Sequence, residues 1–207
     1  VDQPKVLLLD IETAPNLVAV YQLKQTYINP QFIMGHGYVL CFTAKWLGKK
    51  DIVFAKSPDG HLAMLQSIHK LLSEADAVVH YNGKKFDIPT LNAEFLLHGL
   101  KPVKPFVQID LIMLARRTFN FPSYKLSYVC ERLGIGSKTK HAGWDMWKAC
   151  MDKLHQRYAK AWATMEKYNK QDVILLEHLY KRLRPWFHTT HGFKRIHEYL
   201  TGMRSKP

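Results

Sequence analysis

The chain has 207 residues, enough for one domain with a sizeable core and a tight fit for two. Its 47% hydrophobic content is spread along the length, which excludes a disordered chain, and no run reaches the apolar length of a transmembrane helix. Lys and Arg number 30 against 17 Asp and Glu, giving a formal +13 and a pI of ≈ 9.6. That balance favours polyanions, nucleic acid before an anionic membrane surface.

Val6 to Thr13 is an apolar strand that ends in Asp10 and Glu12. Thr13 to Asn16 reads as a turn, and Leu17 to Tyr21 as a second strand returning beside the first. Gln22 to Gly35 reads as a loop with a turn at Asn29-Pro30. Tyr38 to Leu47 is a long strand and Ile52 to Ala55 its short partner, so three antiparallel strands adjoin the first. His61 to Ser73 has helical apolar spacing, and Ala77 to Tyr81 is a buried strand. Helical periodicity resumes from Ile88 to Leu97, with Pro89 tolerated in the first turn. A short extended piece, Val107 to Ile109, precedes a helix from Asp110 to Arg117 that Asp110 is placed to cap. Ser123 to Lys125 opens another helix, which stops at Gly134 to Gly136. Trp144 to Met151 is a short helix and Leu154 to Leu183 a long one. The strands and helices predict a mixed central sheet flanked by helices, with residues 1–184 as the domain and 185–207 as a basic, helical extension of it.

Residues two apart on a strand share a face, so Asp10 and Glu12 present their oxygens together at the carboxyl end of a buried strand. Like charges there push one group toward protonation unless a hard cation intervenes. By itself, an Asp-X-Glu pair is more often two polar residues where a strand meets a loop. Asp87 opens a helix, which alone would explain an anion there. Tyr168 and Asp172 lie four apart on one helix face, a pair common on solvated helices.

The segment from His80 to Leu91, which carries Tyr81-Asn82, Phe86-Asp87, Pro89 and Leu91, closely resembles the Tyr-Asn-X-X-X-Phe-Asp-X-Pro-X-Leu block of the exonuclease domains of family-B DNA polymerases. With Asp10 and Glu12 before it and Tyr168 and Asp172 after it, the order resembles the DEDD (DnaQ-like) 3′–5′ exonuclease superfamily over roughly Lys5 to Leu183. Its other branch places a His five residues before the last Asp; here that position is Lys167, so the chain is similar to the tyrosine branch.

The resemblance implies an α/β ribonuclease H-like fold and a hydrolase acting on the 3′ end of single-stranded DNA, with RNA trimming or a catalytically weak nucleic-acid-binding module as alternatives. It implies two divalent metal ions, Mg²⁺ or Mn²⁺, held by Asp10, Glu12, Asp87 and Asp172, with Asp10 bridging both. Tyr168, too weak a base alone, is assigned to orienting the attacking water. Thr13, Asn82, Lys84 and Lys85 are the candidate strand contacts. A separate DNA polymerase or helicase is a candidate partner and no membrane is expected. No secretion signal is visible, although the chain opens on Val1, and the expected compartment is the cytoplasm, where Cys41, Cys130 and Cys150 would be buried thiols.

Phe86 is expected in the core. For Tyr124 and Lys125, packing and solvation outweigh contact with substrate. Trp144 and Trp147, near Lys138 and Lys140, could stack on bases, but burial is the commoner fate of such side chains. His188, His191, Lys194, Arg195 and His197 lack ordered metal spacing and suit a basic or solvated face.

Overall fold

In the computed structural model, which describes residues 3–139, 143–189 and 192–202, a five-stranded mixed sheet carries the chain. β1 (Val6–Thr13) lies at its centre, β4 (Val39–Trp46) and β5 (Ile52–Lys56) on one side, β6 (Ala77–His80) and β7 (Val107–Asp110) on the other. β1 pairs antiparallel with β4 and parallel with β6, and β7 is parallel to β6.

The alternation of β1 divides the core. Leu7, Leu9 and Ile11 pack with α1 (His61–Glu74) and α2 (Asp87–Leu97), while Val6 and Leu8 pack with α3 (Leu111–Thr118), α4 (Leu126–Arg132) and the long helix, α6 (Tyr158–Leu183). Asp10 and Glu12 continue the second face and emerge where its apolar packing ends. A third cluster joins α5 (Trp144–Met151) to α6 through Cys150, Trp162 and Met165. The stripe of α6 that buries Trp162, Met165, Val173 and Leu176 also carries Tyr168, Asn169 and Asp172, because all recur at three- and four-residue spacing. Near its other end, Glu177 forms a buried ion pair with Lys45 of β4, pinning the helix to the sheet.

Several expectations are corrected. The second strand does not return beside β1, where β4 holds one edge along its length and the other carries β6 and then the Asp87 carboxylate. It is reduced to β2 (Leu17–Val18), which pairs with β3 (Ile33–Gly35) in a separate two-stranded sheet. Residues 22–35 are therefore not all loop; they hold a 3₁₀ turn, Pro30–Phe32, capped by the Asn29 side chain, and then β3. Just one antiparallel strand, β4, adjoins β1. The helix expected from Ser123 starts at Leu126, and the long one at Tyr158 rather than Leu154. Phe86 is 44% exposed rather than core, since Ile88, Leu91 and Phe95 form the buried stripe of α2 and Phe86 lies out of phase. Beyond α6 come a 3₁₀ segment, Arg184–Thr189, and α7 (Phe193–Leu200), whose Phe187, Phe193 and Ile196 join the core beneath α6. Lys194 and Arg195 are exposed on α7; His191 and Lys140 lie outside the described residues. All three cysteines are free and buried. No helix among the described residues is long and apolar enough to cross a membrane.

Candidate active site

Three chain segments meet at the carboxyl end of β1. One oxygen each from Asp10, Glu12 and Asp172 lies within 4.8 Å of the others. Asp87 enters from the first turn of α2, and its Oδ1 accepts from the Ile11 N–H at 3.2 Å. That bond has a structural reason: parallel pairing with β6 ends at Leu8, leaving this part of β1 without a strand on that side.

The cluster resists full ionisation. Burial first, then the Glu12, Asp87 and Asp172 carboxylates, hold Asp10 well above the usual range, with Lys138 opposing. Burial and the Asp172 charge push Glu12 up to about 8. Burial raises Asp87 to about 7, against hydrogen bonds from backbone N–H groups that lower it. Hard oxygen donors that repel one another match the donor set of Mg²⁺ or Mn²⁺, so these residues fit the expected ions.

Two participants were missed in the sequence reading. Asn169 is fully buried, and its Nδ2 donates to Asp10 Oδ2 at 2.6 Å, fixing that carboxylate. It lies three residues before Asp172 on the same helix face, a spacing that could have singled it out. Lys138, in the segment after α4, reaches Asp172 Oδ2 at 2.5 Å and Tyr168 Oη at 3.2 Å. Burial alone would lower its pKa, but the Asp172 carboxylate and the Tyr168 phenol raise it, so it stays an ammonium. Burial and the Asp172 charge raise Tyr168, which keeps its proton and packs edge-on against Trp147 at 6.0 Å.

A cleft of ≈ 570 Å³ opens on this cluster, walled by Asp10, Asn82, Arg116, Lys125, Lys138 and Asp172 among others. Tyr124 and Lys125 thus belong to the wall rather than to packing and solvation alone, and three cations surround the acidic floor. Asn82 holds φ 70°, unusual without a glycine. Asp110 secures that corner: it caps α3 through Ile112 N–H at 3.3 Å and also accepts from Asn82 N–H at 2.8 Å and Lys84 N–H at 3.2 Å. Gly83 packs on the buried ring of His80, where a Cβ would come within 2.5 Å of Cγ. Burial lowers His80 to about 4, so this ring is neutral. Asp110→Ala is expected to destabilise the fold by about 2–4 kcal/mol, leaving three backbone N–H groups, the α3 cap among them, without their acceptor, as urea unfolding would measure.

Lys84 and Lys85 are exposed and do not wall the cleft, and Thr13 is half-buried at the end of β1, opposite Val39 at a register shift. Trp147 is partly buried against Tyr168, but Trp144 is 53% exposed and walls a larger groove of ≈ 970 Å³ beside the Pro15–Leu17 segment, away from the carboxylates. The tail histidines enter neither of the two groups of metal-capable side chains among the described residues.

Comparison with known proteins adds two findings. A family model described as the RNase H superfamily matches residues 8–184. The fold is similar to the family B DNA polymerase from the hyperthermophilic archaeon Pyrobaculum calidifontis, with a TM-score of 0.67 and 18% sequence identity over 90% of this chain and 25% of that one. The chain thus spans about a quarter of that polymerase's length. No match was found among curated proteins.

Proposed function

The chain belongs to the RNase H superfamily, and from that membership we propose that it is a metal-dependent 3′–5′ exonuclease that removes nucleotides from the 3′ end of single-stranded DNA. The observation that carries the proposal is the convergence of Asp10, Glu12 and Asp172, with Tyr168 one helical turn before Asp172 and Lys138 touching both. DNA is chosen over RNA because the Asp87 block resembles that of DNA-polymerase exonuclease domains.

Asp10, Glu12, Asp172 and Asp87 would hold two Mg²⁺ or Mn²⁺ ions. Such ions, bound, supply hydroxide near neutral pH and charge for the leaving 3′ oxygen. The protein's own groups do the rest. Asn169 holds Asp10 in place. The phenol of Tyr168, protonated at neutral pH, orients a water by hydrogen bond rather than deprotonating it. Lys138, Arg116 and Lys125 bring positive charge to the cleft where a phosphate backbone would lie, and the Asn82 corner presents a polar edge beside it.

Tyr168→Phe is expected to slow the chemical step by about 10²-fold, the scale of one positioned hydrogen-bonding group, while metal affinity stays unchanged. Single-turnover rates and a metal titration would separate the two. The proposal itself is tested by incubating 5′-labelled single-stranded DNA and RNA of one sequence with Mg²⁺ or Mn²⁺ and then with chelator. A chelator-sensitive ladder shortening from the 3′ end of DNA is the expected result. Internal cuts, preference for RNA, or binding without cleavage would each overturn it.

A further inference from the structure

Away from the carboxylate cluster, His61, Glu94 and His98 bring their ligand atoms within 4.8 Å of one another. His61 is the first residue of α1, Glu94 lies in the last turn of α2, and His98 follows its end. Glu94 is 6% exposed, although it is a carboxylate. Its Oε1 accepts from the Val39 N–H at 3.1 Å, which leaves Oε2 facing His61 Nε2 at 2.9 Å and His98 Nε2 at 3.6 Å. On its far side the His61 ring meets Ser57 Oγ through Nδ1 at 3.0 Å.

We propose that this trio is a second metal site, selective for a borderline transition ion of the Zn²⁺ class and distinct from the carboxylate centre. Three features carry it. The donor set is two imidazoles and one carboxylate, which suits Zn²⁺, whereas Mg²⁺ prefers oxygen alone. The spacing fits: donors ~2.05 Å from a tetrahedral ion stand about 3.3 Å apart, a value that 2.9 and 3.6 Å bracket. Each of two ligands is also held from behind. With Nδ1–H donating to Ser57, His61 presents the Nε2 lone pair, and Val39 N–H fixes the carboxylate; such outer contacts orient metal ligands. The His98 side chain is 38% exposed, so the fourth position opens to solvent and would take water.

In the metal-free chain His61 Nε2–H donates to Glu94 Oε2, while His98 Nε2 stands off at 3.6 Å. On binding, the imidazole proton moves to Nδ1 and the ion takes the place between Nε2 and Oε2. The result would tie the start of α1 to the end of α2 through one ion, with Glu94 already bonded to the start of β4 through the Val39 N–H. One chain would then sort two classes of metal, hard ions to the carboxylates and a borderline ion to the imidazoles.

The test uses the full chain, stripped with chelator and returned to a large excess of Mg²⁺ to occupy the carboxylates. Titration with Zn²⁺ by calorimetry, and with Co²⁺ by visible absorption, is expected to show one tight equivalent, with the intense bands of four-coordinate cobalt. His98→Ala should weaken it at least about tenfold, and His61→Ala likewise, whereas Asp172→Asn retains it. His98 closes the helix through its backbone, and its ring, 38% exposed, makes only a 3.6 Å approach to Glu94 and a tilted contact with His61 at 5.0 Å, so His98→Ala is expected to melt close to the parent chain in chelator and to lose the rise in melting temperature that Zn²⁺ gives the parent. Should His61→Ala fail to fold, His98→Ala alone decides. No equivalent in excess Mg²⁺, an equivalent that survives His98→Ala, or one lost in Asp172→Asn would each overturn the proposal.

Discussion

Asp10→Asn is expected to lower nuclease turnover by about 10³-fold or more while leaving the metal-free chain as stable as before, or more so. Loss of a ligand charge at a metal-assisted reaction forfeits several kcal/mol of transition-state stabilisation, and each ~1.4 kcal/mol is tenfold in rate. The fold does not share that loss. The amide oxygen at position 10 still accepts from Asn169, and removing one of several mutually repelling acids relieves the others. Stability also acquires a pH signature. Glu12 titrates near 8 in the folded chain against 4.5 unfolded, and Asp87 near 7 against 3.8, so the folded state binds more protons between those values. The stability these two carboxyls contribute is therefore present at acid pH and lost as pH rises from about 4 through about 8, a larger effect than that of the single His80, whose ring, lowered to about 4 from 6.5, works in the opposite direction over the lower part of that range. Melting curves in chelator between pH 5 and 8.5 should slope downward, less steeply for Asp10→Asn, and Mg²⁺ should restore most stability at the alkaline end. A flat profile in the parent chain, or full activity in the variant, would contradict the assignment of this cluster.

Lys138→Met is expected to slow the chemical step by about 10²-fold, the scale on which one positioned electrostatic group acts on a transition state. Before metal arrives, its ammonium offsets Asp172, which is 2% exposed; without it the metal-free chain should lose about 1–3 kcal/mol at neutral pH, discounted because the lysine is 28% exposed. The deficit should shrink in saturating Mg²⁺, because cations on the carboxylates replace the missing charge. Lys138→Arg is expected to recover part of the stability and less of the rate, a planar fork being a poor copy of a compact ammonium. Parallel single-turnover and melting experiments, with and without Mg²⁺, check both halves. An unchanged chemical step would confine Lys138 to a structural role.

How much of this was legible follows from the range of each interaction. Asp10 and Glu12 could be read as a pair because strand alternation is local, and Tyr168 with Asp172 because one helical turn is local. Asp110 was readable as a cap, but not as the anchor of Asn82 and Lys84, which lie 26 and more residues away. Lys138 owes its place to a contact across 34 residues, which no local pattern encodes; the helical spacing of Asn169 from Asp172 marks its face, but its bond to Asp10 spans 159 residues. The strand expected from Leu17 failed for a related reason. Its local pattern is adequate, but β4, from more than twenty residues on, takes one edge of β1, and β6 followed by the Asp87 carboxylate takes the other. Phe86 shows that apolar character does not ensure burial when the next helix sets the phase.

The central place of β1 has a consequence for which genetic changes the protein can survive. Leu7, Leu9 and Ile11 belong to one core layer and Val6 and Leu8 to the other, and β4 and β6 hold the strand from both edges. A one-residue deletion before Asp10 would turn both carboxylates from the α6 side into the layer packed by α1 and α2. Such a lesion would unfold the chain rather than yield a folded, inactive one. Point substitutions at Asp10, by contrast, leave the pairing intact. Inactive but folded descendants of this chain should therefore arise by substitution, with the length of β1 preserved, and the spacing from Val6 to Glu12 should outlast the acids themselves.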